Sequence, residues 1–350
     1  MVEASRGGIV EARHRGHIVQ VGSGGAIERL LGDPEVVVTL RSAVKPFAAL
    51  PVLESGAADA FELSPEELAL LTASHSGEDL HVRTLQAVFR RAGISQSLLA
   101  CGSQGAPLDE LTARRLARDG EQIGPARHMC SGMHAGSLLL SKHAGWSLED
   151  YWRPEHPSQV AVREAVARVF GVRPDALVTA VDGCGVLTYA FPLVDVARAY
   201  ALLADPSSAP DAARRAVAPA LTRIRDAMLA APELVAGNRD RLDTALMKAL
   251  PGRLVAKSGS EALQGLALLP GSRGPRSAAA GMACKIEDGD GRRRAGRAAT
   301  VEALRQVGLL SDADLRRLGP YHRPVVRDPR GAIVGESTPR FELAPVSELA

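Results

Sequence analysis

Three short stretches of this chain place hydroxyls and amines at spacings suited to nucleophilic catalysis. The first is Arg41-Ser42-Ala43-Val44-Lys45-Pro46, where serine and lysine stand three positions apart. On a helix such positions share a face, so the amine lies near the hydroxyl. A serine hydroxyl is a weak nucleophile until a base takes its proton. A lysine becomes that base when burial or a neighbouring positive charge brings its pKa down toward neutrality. The second stretch, Ala73-Ser74-His75-Ser76-Gly77-Glu78, offers another hydroxyl to a cleft. The third, Lys257-Ser258-Gly259, puts a lysine on a strand before small residues that let a substrate backbone come close. Each stretch also has a purely structural reading: a helix-start serine beside a surface lysine, a capping serine, an edge-strand lysine.

Composition adds weight to the lysines. Thirty-seven arginines stand against five lysines, at 45, 142, 248, 257 and 285. Arginine keeps its proton at any usable pH and cannot act as a base. A lysine retained in an arginine-rich chain therefore points to a place that needs an amine. In order, Ser-x-x-Lys, Ser-x-Ser and Lys-Ser-Gly resemble the three motifs of penicillin-recognising serine enzymes. There the first pair carries the nucleophile, the middle motif relays protons and the last lysine orients the substrate.

Two further stretches carry sulfur. Arg127-His128-Met129-Cys130-Ser131-Gly132-Met133-His134-Ala135-Gly136 and Val181-Asp182-Gly183-Cys184-Gly185-Val186 set two cysteines in glycine-bearing turns. Such thiols, with histidine and aspartate nearby, could hold a soft metal such as zinc. They could equally be two buried thiols, and without a Cys-x-x-Cys pair the spacing alone favours the second reading.

The elements that must position these groups follow from periodicity. Residues 8–13 and 17–22 alternate like two half-buried strands joined by a tight turn at Arg15-Gly16. A β-branched run at 36–39 precedes the Ser42 helix. From about 57 to 250 the pattern is helical. Helix starts are expected at Ser64-Pro65-Glu66-Glu67, Ser147 and Ser158, with helices over 211–230 and 241–249. Irregular segments are expected at 127–136 and 181–190. Strands return at 254–257, 265–269 and 277–286, then a helix over 297–308 and strands at 324–327 and 332–334. The expected fold is thus α/β (α+β), one antiparallel sheet from N- and C-terminal strands with a large helical insertion. The sheet lobe covers about 1–56 and 251–350, the helical lobe about 57–250, within one domain of 1–350.

The bulk numbers narrow the function. Net charge is +2, 46% of residues are hydrophobic and charges of both signs are mixed, which gives no electrostatic case for nucleic acid. The cluster Arg292-Arg293-Arg294 beside Asp288-Gly289-Asp290-Gly291 reads as a solvated turn. No stretch approaches the roughly 18 apolar residues of a membrane span. The first residues carry no secretory pattern, so a cytoplasmic location is expected. The four cysteines then read as free thiols or metal ligands rather than a disulfide framework.

Taken with Pro232-Glu233-Leu234-Val235, the five stretches resemble the rhizobial-type L-asparaginases, also called the class 3 or thermolabile asparaginase II-like group, over nearly the whole chain. The resemblance implies a serine β-lactamase-like fold, a homodimer, and hydrolysis of L-asparagine to L-aspartate and ammonia through an acyl-enzyme. It implies two Ser–Lys pairs, Ser42 with Lys45 and Ser74 with Lys257. It implies a zinc ion on Cys130, Cys184 and a lysine, with Asp182 near metal-bound water or substrate. Arg41, His75, Asp182 and Glu261 are candidates to hold the substrate. The family usually reads Cys-Ser-Gly-Lys-His, whereas this chain has Met133 at the lysine position. A thioether is a weak zinc ligand, so zinc is expected to bind weakly, to use His134 or water, or to be absent. The alternatives are a related serine amidohydrolase, glutaminase or β-lactamase-like, and a homologue that binds an amino acid or zinc without turnover.

Overall fold

Runs rich in valine, isoleucine and alanine at both ends of the chain form strands, and the middle of the sequence forms helices. The computed structural model describes residues 1–104, 109–291 and 293–346; Arg292 of the arginine cluster lies outside them. Two compact units emerge. One comprises Met1–Ala43, Phe191–Ser208 and Ala245–Ala350, the other Val44–Ala190 and Ala209–Thr244.

The first unit holds two antiparallel sheets, each built from N- and C-terminal strands. The larger has six strands in the order Ala344–Pro345, Ile27–Leu31, Gly16–Gly22, Ala280–Ile286, Leu263–Leu268 and Leu254–Gly259. The smaller runs Val325–Arg327, Ile333–Pro339, Val2–Arg6 and Ile9–His14. The expected single sheet is therefore two. The expected hairpin of 8–13 with 17–22 does not form: Ile9–His14 pairs with Val2–Arg6, while Gly16–Gly22 enters the larger sheet. Alternation marks a half-buried strand but says nothing about its partner.

Strands at the centre of the larger sheet are buried on both faces, and Ala280–Ile286 shows how. Side chains alternate along a strand. Gly281 lies against helix Leu193–Ala204, so closely that an added Cβ would fall 1.9 Å from the Ala197 carbonyl oxygen. On the other face Cys284 hydrogen-bonds Thr300 of helix Ala295–Gln306, and burial pushes its thiol up to about 12.

The second unit is mostly helical. Helix Pro65–Leu71 opens on a full capping box, Ser64 with Glu67, and has proline in its first turn. Ser131–Ala144 is a buried central helix, so the irregular segment expected at 127–136 ends at Cys130. Two other expected starts are displaced. Ser147 begins no helix, and the next helix, Pro157–Phe170, is capped by His156 rather than Ser158. Strands Val178–Val181 and Leu187–Pro192 form an antiparallel pair around the turn that carries Cys184. No helix among the described residues is long and apolar enough to cross a membrane.

Candidate active site

In the first unit, Ser42 sits in the 3-10 turn Arg41–Val44, and helix Lys45–Ala48 follows without a break. Arg41 holds a φ of 46°, left-handed backbone that a non-glycine residue adopts at a cost. The turn is closed by the Ala43 N–H donating to the Leu40 carbonyl. A tyrosine fixes it from below: the buried Tyr200 hydroxyl donates to the Ala43 carbonyl at 2.8 Å. Room for that ring exists because residue 265 is glycine; a Cβ there would lie 2.2 Å from the Tyr200 ring. Gly265 pairs directly with Lys257.

Lys257 is fully buried on strand Leu254–Gly259, and its amine donates to the Ser258 carbonyl at 2.8 Å. Two residues on, Gly259 packs against the Leu40 carbonyl and Ala43. The Lys-Ser-Gly strand thus lies along the Ser42 turn. Glu261, another substrate candidate, is exposed in the hairpin after Gly259, with a φ of 57°.

In the second unit the loop at 72–78 is clamped from both sides. The Ser74 N–H donates to the Val235 carbonyl and the His75 N–H to the Met129 carbonyl. Arg241 donates to the Ser74 carbonyl at 2.6 Å. Glu78 is buried and accepts from the backbone and side chain of Asn238 at 2.7 and 3.0 Å. His75 lies beneath this loop. The Gly77 N–H donates to its Nδ1, and Ser131 Oγ is spent as a donor on the Ala126 carbonyl. The ring therefore carries its proton on Nε2 and donates it to Ser131 Oγ at 2.8 Å. Burial holds its pKa well below the usual histidine range, helped by the stacked His81 and by Lys45. Both ring nitrogens are engaged in scaffolding.

Lys45 converges on this loop. Its buried amine donates to the Ala73 carbonyl (2.7 Å), to Ser74 Oγ (3.0 Å) and to Cys130 Sγ (3.2 Å). Cys130 reaches the loop because the following helix comes very close to Pro65–Leu71: at Gly132 a Cβ would fall 1.9 Å from the Leu70 carbonyl oxygen. Cys184, on its own turn, gives its S–H to Cys130. That bond, with the charges of Lys45 and His128, holds the Cys130 thiol well below its ordinary value. The Cys184 thiol is pushed up by the same bond and by burial. Asp182 closes the Cys184 turn, its N–H bonded to the Val186 carbonyl.

The structure thus brings Lys45, Ser74, Cys130 and Cys184 into one hydrogen-bonded cluster, a Lys45–Ser74 bond the spacing argument did not name. It sets Ser42 against the Lys257 strand. Sequence reasoning missed Tyr200, Gly265, Glu78, Arg241 and Asn238 as positioning residues. Only Glu78 lay inside a motif, and the others act through tertiary contacts with no local signature.

The donor set does not suit the zinc implied by the resemblance. Among the described residues no group of three or more His, Cys, Asp or Glu side chains could share a metal ion. Met133 faces a cavity of about 10 Å³ walled by Val44, Val186 and Tyr189, room for about one water. His134 turns Nδ1 to the Tyr151 hydroxyl at 2.6 Å, and burial pushes its pKa down to about 4. The Lys45 amine is already directed at three protein groups, the Ala73 carbonyl, Ser74 Oγ and Cys130 Sγ.

Residues 2–339 match the model of a family described as L-asparaginase II. No curated protein matches the chain. Among solved structures, Mglu in its tris and glutamate form is 18% identical with a TM-score of 0.39, over 90% of this chain and 65% of that one. The Bacillus subtilis glutaminase YbgJ, in covalent complex with 5-oxo-L-norleucine, is 14% identical with a TM-score of 0.36, over 81% and 83%. This chain spans about 65% of the length of the first and is distant from both.

Proposed function

The chain belongs to the L-asparaginase II family, and on that premise we propose that this amidohydrolase cleaves the side-chain amide of L-asparagine to L-aspartate and ammonia. Ser42, at the opening of the 3-10 turn, attacks the amide carbon while Lys45, three residues on, takes its proton. The N–H of Ser42 is a candidate donor to the oxyanion. Collapse of the tetrahedral adduct breaks the C–N bond, and ammonia leaves with a proton relayed through the second pair, Ser74 and Lys257. Water then cleaves the Ser42 ester. Arg41, Asp182 and Glu261 are offered to the substrate's charged ends, and His75 acts beneath the loop. The homodimer and cytoplasmic location implied by the sequence belong to this proposal as well.

One observation carries the reading: a buried lysine amine within hydrogen-bond reach of a serine hydroxyl, Lys45 to Ser74 at 3.0 Å. It also favours a second reading, in which Ser74 is the nucleophile. A diazoketone analogue of asparagine separates the two. An adduct on the peptide carrying Ser42 supports the first reading, and one on the Ser74 peptide the second. Ammonia release from glutamine but not asparagine would reassign the substrate, and none from either would end the amidase proposal.

A further inference from the structure

We propose that the two cysteines of this chain hold no metal, and that Cys130 instead serves as a positioning residue that aims Lys45 at Ser74. The inference deepens the function proposed above and rests on it only for its kinetic arm. A zinc site with three protein ligands needs a third donor beside Cys130 and Cys184. The residue in the first turn of the following helix that would supply it is Met133, which instead lines a small cavity with Val44, Ser137, Gln159, Val186 and Tyr189. The Lys45 amine lies 3.2 Å from Cys130 Sγ and arrives as a hydrogen-bond donor. Cys130 thus spends its sulfur as an acceptor for an amine donor, a hydrogen bond in the role a metal–sulfur bond would otherwise fill.

The consequence is directional. A lysine amine sits on a flexible four-carbon stem, so one partner leaves it free to rotate. Three fixed acceptors do not: the Ala73 carbonyl, Ser74 Oγ and Cys130 Sγ define one orientation. Ala73 and Ser74 belong to a single clamped loop. Cys130 is the anchor from another element, held by Cys184 behind it.

Zinc content tests the first half without any substrate. After zinc loading and exhaustive dialysis the wild type should retain less than about 0.1 zinc per chain, and Met133→Lys about one. A wild type that keeps about one zinc, or a Met133→Lys chain that keeps none, overturns it. Thermal denaturation tests the second half, also without substrate. In a double-mutant cycle of Lys45→Met and Cys130→Ala, the two losses in Tm should fall short of additive by about 3 °C; additivity overturns the contact. The kinetic arm compares Cys130→Ala with Cys130→Ser. The alanine should lower kcat by roughly 10- to 100-fold with KM changed less than about threefold, and the serine, which keeps an acceptor, should recover most of it. Equal losses for both variants, or a loss in KM alone, overturn the positioning role. If no amide is turned over, the function falls while the metal and denaturation arms still decide the inference.

Discussion

Two lysines are buried in this molecule at the motifs that drew attention to the sequence, and they are held in opposite ways. Lys257 stands on a strand, and the ladder fixes it: its partner across the pair is Gly265, and its amine bonds the carbonyl of the next residue. Lys45 opens a short helix, and its amine is caught by groups 28, 29 and 85 positions away. The strand ladder places the first, and groups distant in sequence aim the second. The contrast teaches that a Ser-x-x-Lys spacing supplies an amine to the site but does not say which hydroxyl it meets.

The most drastic way to break the contrast is to remove the base. Lys45→Arg keeps the charge but cannot accept a proton, and should lower amide hydrolysis by about 10³-fold with the far-ultraviolet circular dichroism unchanged. Near-normal turnover in that variant would remove Lys45 from the chemistry. A subtler attack goes through the sheet. Gly265→Ala drives a methyl into the Tyr200 ring and should cost about 1–3 kcal/mol in denaturant unfolding. Tyr200→Phe deletes only the bond to the Ala43 carbonyl and should cost about 1 kcal/mol. If both are silent, the Ser42 turn is not held from the sheet.

On the loop side, acid sharpens the comparison. Arg239 hydrogen-bonds the Asp109 carboxylate and holds its pKa at about 2. The unfolded value is about 3.9, so the folded state binds this proton less readily. The stabilisation is present above about pH 4 and is lost as the pH falls toward 2. Tm should therefore fall less steeply across that window in Arg239→Met than in the wild type, and parallel curves would discard the pair. The smallest effect is local: Ser64→Ala removes half of a capping box and should cost about 1 kcal/mol without touching activity.

Much of this was legible beforehand where the cause is local. The Ser64 capping box, the helix over 211–230 and the strands after Pro251 are written in neighbouring residues, and the structure has them at Pro65–Leu71, Ala212–Ala230, Leu254–Gly259 and Leu263–Leu268. Partners were not legible. Ile9–His14 and Gly16–Gly22 alternate alike yet enter different sheets, and helix Leu193–Ala204 packs on the larger sheet though it lies deep in the helical stretch. Cys130, Cys184, Ser74 and Lys45 were each singled out, but their grouping depends on Gly132 letting two helices touch. Glycine in a motif shows that something comes close, not what.

The scarcity of lysine has a practical side. Lys45 and Lys257 are sealed in the interior, Lys285 is half-covered with its amine bonded to two backbone carbonyls, and Lys142 and Lys248 are exposed. An amine-directed tether, such as an activated ester on a resin or a polymer chain, would therefore find two outward-facing side-chain handles on this molecule. Both lie on helices, Ser131–Ala144 and Leu242–Ala249, and neither is one of the groups proposed to do the chemistry, so covalent attachment would proceed without consuming those groups.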